Sequence, residues 1–502
     1  MLPHFWDDLA FIANYLVEAT LPTVTRMPSI RSLSRRRFLA GDAAMAGFAM
    51  APPRPTFATA EDRARILRAA PAEASLRSSA AVPARVWAYD EQVPGPLLRV
   101  RQGKAVRVRL ENDIEQSTTI HWHGIRIDNR MDGVAGLTQD AVPPGEAFEY
   151  AFTVPDAGTF WYHPHNRSWE QVARGLQGVL IVDEPEPPAV DQDIVLVVDD
   201  WRLTKEGQID EASFGHLHDW SHAGRLGNEL TINGRPRFDV PVRAGERLRV
   251  RVVNTANARI MNLRFEKHGL TLIAVDGQPV EPRLVPDGAF PLGPGQRVDL
   301  MIDMSLDPGS RAAITEVTGG GRLVAGEFIY AAGAVARVHP LDAPVRLAAN
   351  PLPTRLNLDD AARVDLLMEG GAMGGMAGAI HEGKPMTIRE LVREKRMAWA
   401  FNGVAGMSET PLVSAKRGET VVIHMRNQTA WPHAMNLHGH HVRELARSGV
   451  PVADEAWRDP VMLEREEDVA VALVADNPGK WMLHCHMLEH QAAGMTTWFE
   501  VV

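Results

Sequence analysis

Eleven of the chain's 19 histidines fall in four windows that together span 30 of its 502 residues. The first two read His121-Trp122-His123-Gly124 and Trp161-Tyr162-His163-Pro164-His165. The third runs from His433 to His441 and holds Asn436, His438 and His440. The fourth opens His484-Cys485-His486 and continues through His490 to Met495; Cys485 is the only cysteine. One such histidine alone is an ordinary hydrogen-bonded residue, but four windows together point to metal ligation. On an extended strand, residues i and i+2 share a face. Each His-x-His therefore aims two imidazoles at one place. In the fourth window His484 and His486 face one way and Cys485 the other, so three consecutive residues serve two metal sites. His490 and Met495 lie near enough to rejoin Cys485, and His433 supplies a second imidazole. Two His, one Cys thiolate and a weak axial Met form the blue-copper set, suited to electron transfer. Structural zinc prefers closed sets of four Cys or His. A lone cysteine excludes an intramolecular disulfide framework, and the ligand role accounts for it.

The elements that must carry these windows are strands. Three segments repeat one pattern, with Gly103 to Asn112, Gly245 to Asn254 and Gly418 to Asn427 each spanning nine positions. Pro144-Gly145-Glu146 and Pro294-Gly295-Gln296 each open a further strand-like run, Phe148–Val154 and Arg297–Ile302. Alternating apolar and polar residues with Gly/Pro turns predict β-sandwiches. The expected domains are 80–187, 188–345 and 385–502, joined across 346–384 by a linker rich in Gly and Met. A composition of 45% hydrophobic and 23% charged residues gives each domain a core and excludes global disorder. A net charge of −10 argues against nucleic acid as a partner.

Ser34-Arg35-Arg36-Arg37-Phe38-Leu39, the apolar stretch Ala40–Ala51 and Ala58-Thr59-Ala60 resemble a twin-arginine (Tat) export signal cut after Ala60. Residues 1–60 are thus read as a leader, with Met27 a candidate start. The expectation is a bacterial protein that is periplasmic or secreted, with the Tat export machinery as a partner. The apolar stretch is too short and broken for stable membrane insertion.

All four windows resemble those of the multicopper oxidases, the family of laccases, ascorbate oxidase and bacterial cuprous oxidases, and the likeness covers nearly the whole chain after the leader. The resemblance implies an all-β fold of three consecutive cupredoxin-like Greek-key domains. It implies four copper ions, with a blue copper in domain three and a trinuclear cluster between domains one and three. It implies a monomer that takes single electrons from small-molecule (phenolic) or metal-ion donors, Cu(I) included, and reduces O2 to water. By matching position, the blue copper takes His433, Cys485, His490 and Met495, with electrons entering at His490 and Cys485. The binuclear pair of the cluster takes His123, His163, His165, His438, His484 and His486. The remaining cluster copper takes His121 and the residue at 436. Asp132, nine residues after His123, matches an acid of the family and is read as a proton relay. Some members carry an acid after His490, where this chain has Gln491.

Position 436 is the departure. His121 and His123 lie nine and eleven residues beyond Asn112; Asn436 and His438 lie nine and eleven beyond Asn427. Asn436 is therefore the mate of His121 and the one broken ligand. The same offsets in domain two give Leu263 and Phe265, so that domain reads as copper-free. An amide oxygen is a harder, weaker donor to copper than imidazole. The expectation is a weakly held ion, or three coppers in place of four, with slowed O2 reduction. The alternative is that His440 or a water completes the site. A second functional reading is a blue-copper electron carrier or copper-tolerance protein with little oxidase activity. His216, His218 and His222 are read as a surface loop. Met368, Met373, Met376 and Met386, with His381, read equally as a cuprous-ion docking segment or as a flexible linker with Met as filler.

Overall fold

The computed structural model describes residues 64–502 apart from 319–320, 338, 340, 345 and 354. The export signal expected within 1–60 lies outside the described residues. Among the described residues no helix is long and apolar enough to cross a membrane.

The three repeated segments are strands, and each occupies the same place in its own sheet. Ala105–Asn112 lies between Arg65–Ala74, in parallel, and Ala147–Thr153, antiparallel. Arg247–Asn254 lies likewise between Gln192–Trp201 and Arg297–Asp303, and Thr420–Asn427 between Ala362–Gly370 and Asp468–Val474. In the first, Val106, Val108 and Leu110 point inward while Arg107 is exposed, the period-two pattern of a sheet with one buried face. Each sheet packs on a second one to form a sandwich. In domain one the second sheet runs Gly95–Arg101, Gly178–Asp183, Gly158–His163, His121–His123. In domain three it runs Ser414–Ala415, Thr496–Val501, Gly479–Cys485, His433–Leu437, Val461–Leu463. All four histidine windows thus begin or end on the second sheets of the outer two sandwiches. Three separate apolar cores fill the sandwiches.

Two expected boundaries shift. Domain one begins before 80, because Arg65–Ala74 is a full member of its first sheet. The stretch 346–384 is not linker throughout. Ala362–Gly370 is an interior strand between Trp399–Phe401 and Thr420–Asn427, and its pairing partners lie far along the chain, where local pattern gives no sign of them.

The repeated asparagine has one job three times. Asn112 Nδ2 donates to Gln116 O (2.9 Å) and Val142 O (2.8 Å). Asn254 Nδ2 donates to Arg259 O and Leu292 O, both at 2.8 Å. Asn427 Nδ2 donates to Trp431 O (2.7 Å) and Glu464 O (2.8 Å). In all three the Oδ1 accepts from the amide two residues on. The loop to the next strand leaves at a fixed angle, which is why ligand positions recur at constant offset.

The sandwiches meet around Arg297, which is fully buried. Its Nε donates to Thr159 O of domain one (3.2 Å), its Nη2 to Asp276 O (3.0 Å), and its Nη1 lies 3.3 Å from Asp459 Oδ2 of domain three. Burial pushes Asp276 up to about 6 and Asp459 up to about 7 against this cation's pull. Removing the cation strands two buried carboxyl groups, a loss of about 3–5 kcal/mol. Arg297→Met is therefore expected to lower unfolding stability by that amount in thermal or denaturant melts. A loss under about 1 kcal/mol would mean other contacts hold the junction.

Candidate metal centres

The first centre is built on the strand pair Gly479–Cys485 and His433–Leu437, in which Cys485 stands opposite Met435. The chain then turns through a short helix, Leu488–Ala492, that returns His490 toward Cys485. Met495 brackets the same point: its N–H donates to His490 O (3.0 Å) and its carbonyl accepts from the Cys485 N–H (3.1 Å). Cys485 Sγ lies 3.5 Å from His433 Nδ1 and 3.7 Å from His490 Nδ1. The two Nδ1 atoms are 3.1 Å apart. Neither Nδ1 is the protonated nitrogen. His490 Nε2 donates to the backbone carbonyl of His222 at 2.6 Å. His433 Nε2 donates to Thr429 Oγ1 at 2.8 Å, since that hydroxyl spends its own hydrogen on Asn427 Oδ1 or Trp431 O. Two imidazole lone pairs and a sulfur thus converge in a buried pocket walled by Trp399. Burial pushes the Cys485 thiol up to about 12, so a thiolate here needs a cation beside it. All four residues named from the sequence, Met495 included, are fully buried.

The second centre spans the outer sandwiches. His121 stands opposite His163 and His123 opposite Trp161 in one sheet; Asn436 stands opposite His484 in the other. His484 Nε2 lies 3.0 Å from His438 Nε2 and 3.4 Å from His165 Nε2. The ligand nitrogens of His121, His123 and His163 gather within 4.8 Å of one another, and the His486 ring lies 4.7 Å from that of His123 and 5.4 Å from that of His163. Outer hydrogen bonds turn the Nε2 atoms inward. His163 Nδ1 donates to Pro164 O (3.0 Å) and His484 Nδ1 to Cys485 O (2.9 Å). His438 Nδ1 donates to Asp132 Oδ2 (2.9 Å), and His121 Nδ1 donates to Asp132 O (2.7 Å) with Oδ1 at 3.2 Å. Such partners fix tautomer and ring orientation in metal sites. Asp132 therefore touches a ligand from each outer domain.

The donors left over test what belongs here. His121 Nε2, His123 Nε2, His163 Nε2, His486 Nε2 and Asn436 Oδ1 are buried without a hydrogen-bond partner. Each such atom costs about 1–3 kcal/mol unless something pairs with it. Converging lone pairs make sense only around cations, and imidazoles with one thiolate suit copper. Asn436 Oδ1 is orphaned just as His121 Nε2 is, and its residue stands opposite His484 on the cluster strand.

His440 does not complete that site. The left-handed turn at Gly439 (φ 68°), packed on Trp481, carries His440 away to Trp481 and Phe499, with its Nδ1 toward His438 O and its Nε2 near the Asn477 amide. Domain two carries Leu263 and Phe265 in its core, yet it also closes the cluster. A Cβ on Gly295 would sit 3.1 Å from the His123 ring and 3.2 Å from that of His486. The methionine run also separates. Met368 is fully buried in the domain-three core, Met376 and Met386 pack in a small apolar cluster, and His381 Nδ1 donates to Ala405 O; Met373 alone is largely exposed. Gln491 accepts from Ser168 Oγ at 3.1 Å and ties domain one to domain three. Sequence reasoning missed three participants. Asp459 Oδ2 lies 3.5 Å from His123 Nε2, Thr429 orients His433, and His222, taken for a surface residue, holds His490 through its backbone. The last has no side-chain signature to find.

Three sandwiches, with a Cys/His pocket joined through His484-Cys485-His486 to an imidazole cluster, present two donor sets of the kind that suits copper. Family profiles described as multicopper oxidase match residues 72–187, 192–316 and 383–502. The chain is 29% identical over 441 residues to multicopper oxidase MmcO of Mycobacterium tuberculosis, covering 82% of each. It is similar in structure to a multicopper oxidase of Pseudomonas thermotolerans (30% identity, 88% of this chain, 99% of that one, TM-score 0.75). It is also similar to Lac15 from a marine microbial metagenome (36%, 88%, 100%, TM-score 0.70). The chain belongs to the multicopper oxidase family, and it is a copper-dependent oxidase acting on phenols or metal ions with O2 as acceptor.

The imidazoles set a pH dependence. Burial pushes His484 and His490 from 6.5 down to about 4 and pushes His123, His163, His165, His433, His438 and His486 lower as well. The unfolded chain takes up these protons near 6.5, whereas in the folded copper-free protein His484 and His490 wait until about 4 and the other six stay neutral well below their ordinary range, so the unfolded chain binds more protons over this interval. The melting temperature of the copper-free protein is expected to drop steadily as pH falls from 6.5 toward 4. A flat profile would mean that water reaches these rings.

Proposed function

We propose that electrons from a phenolic or metal-ion donor enter at the His433–Cys485–His490 centre and cross to the cluster along His484-Cys485-His486, with the step at Asn436 limiting O2 reduction. Copper held by these residues supplies one-electron redox chemistry at the first centre and reduction of O2 to water at the second. The carrying observation is the pair of partnerless buried donors, His121 Nε2 and Asn436 Oδ1. Where the pseudo-symmetric position offers two imidazoles to one ion, this chain offers one imidazole and an amide oxygen, and affinity falls accordingly. Cys485 gives the centres a covalent bridge of two peptide units. Asp132 is the proton relay: its carboxylate contacts His121 and His438 from opposite domains and is itself buried. The Arg35–Arg37 motif supports Tat export of a monomer to the periplasm or the medium.

Electron paramagnetic resonance of the copper-loaded, oxidised protein separates this reading from an electron carrier. A weak or absent non-blue signal is expected beside a full blue one. Asn436→His is expected to raise copper from about three to about four ions per chain and to increase O2 uptake with a phenolic donor. If neither changes, Asn436 is not the weak point. Asp132→Asn is expected to cut turnover at saturating donor by about 10²-fold or more while copper content holds; equal loss of both would assign Asp132 to ligand support alone.

A further inference from the structure

His433 and His490 bring the two imidazoles of the first centre, and each is aimed from outside its own strand or helix. For His433 the partner is Thr429, two residues past the repeated Asn427. Domain two has the same loop after Asn254, whose side chain accepts from the Ala256 N–H (3.0 Å) and donates to Arg259 O (2.8 Å). The loop 254–259 is thereby pinned on both sides of Asn257, three residues past the repeated position. Leu263 and Phe265 follow it, so it delivers no ligand strand. Yet Asn257 is 4% exposed, and both of its side-chain hydrogens leave the domain.

They go to the helix that carries His490. Leu488–Ala492 has five residues. So short a helix is unstable alone, and its leading amides have no partner within it. Met487, at its N-cap position, makes no side-chain capping bond. Asn257 supplies what is missing, across a domain boundary. Its carbonyl accepts from the Leu488 N–H at 3.1 Å. Its Nδ2 donates to Glu489 Oε1 at 2.8 Å and to Trp169 O of domain one at 2.7 Å. The next residue, Ala258, is packed in the domain-three core. Behind it Gly224 (φ 81°) leaves no room for a side chain, since a Cβ there would lie 2.3 Å from Ala258 Cβ. The loop is thus wedged against the helix as well as bonded to it.

We infer that Asn257 is a positioning residue of the first centre: it fixes the helix that carries His490 and, through that ring, sets the balance between Cu(II) and Cu(I) at Cys485. The inference rests on the assignment of His490 to that centre. Domain two holds the ring at two points. The His222 carbonyl takes Nε2, and Asn257 takes the first turn of the helix. Together they keep His490 Nδ1 at 3.7 Å from Cys485 Sγ. Imidazole is the harder donor of this set, whereas thiolate and thioether select Cu(I). A helix released at its first turn lets the imidazole draw back. The donors that remain are softer, Cu(I) gains, and the reduction potential rises. Because one amide serves both Trp169 and Glu489, the potential also depends on how the three sandwiches meet.

Two measurements test this on Asn257→Ala, which keeps the backbone carbonyl and loses both side-chain donors. One is a redox titration of the copper-loaded protein followed at its blue absorption band. The other is hydrogen exchange of residues 487–492 in the copper-free protein. At the parent's midpoint the Cu(II)/Cu(I) ratio is expected to fall about tenfold, a rise of about 59 mV for a one-electron couple. Exchange over 487–492 is expected to quicken about tenfold or more. Asn257→Leu, similar in size and also without a donor, is expected to shift both readouts the same way and serves if the alanine variant does not fold. Arg283→Met cuts the Arg283–Asp454 pair (2.8 Å), which joins the same two domains without touching the loop or the helix; it is expected to leave the potential where it was. A folded Asn257 variant with a lowered melting temperature but an unmoved potential makes the residue a brace only and overturns the inference. A copper-loaded parent without a blue band would overturn the assignment of the first centre, while quickened exchange in the variant would leave the clamp on the helix standing.

Discussion

The two-residue repeat of an extended chain governs this molecule. Because side chains alternate, His484 and His486 serve one centre and Cys485 the other, with a separation fixed by the peptide itself at about 7 Å per two residues. The neighbouring strand must match in phase. Met435 opposite Cys485 and Asn436 opposite His484 do so, putting 436 on the cluster side. A slip of one residue would exchange the faces and dismantle both centres at once. The ligand strands His121–His123 and His433–Leu437 are accordingly short and fully buried.

Orientation comes from a shell of weaker contacts. The asparagine at the end of each repeated strand pins the loop that delivers the ligand strand. Asp132 links His121 to His438 and so registers one sandwich against the other. Arg297 binds all three domains through the Thr159 and Asp276 backbone carbonyls and the Asp459 carboxyl group. Domain two, which has Leu263 and Phe265 at the positions that match the ligands, supplies the glycine turn that packs on His123 and His486 and the carbonyl that sets His490. Those two contributions are made by backbone, where side-chain identity is silent.

That distinction explains what could be read in advance. The sandwiches, the ligand windows and the asymmetry at 436 were legible because they are local: alternation, His-x-His spacing and a constant offset from Asn112 and Asn427. Arg65–Ala74 and Ala362–Gly370 were placed outside their domains because parallel partners lie far along the chain. His440 looked available until the turn at Gly439 took it away, and the four methionines between 368 and 386 have three different environments. Asp459 reaches His123 only through the meeting of separate domains, and a carbonyl such as that of His222 belongs to every residue type alike.

The glycine turn at 295 carries a kinetic consequence. With Gly295 against two ligand rings and every cluster histidine buried, an ion exchanges with the surroundings more slowly than at an open site. Occupancy then depends on when the three sandwiches close around the metal as well as on affinity. Retention afterwards is in part kinetic, a matter of how fast the surrounding structure opens. A centre with one poor ligand can persist in such an enclosure long after its equilibrium affinity would have released it.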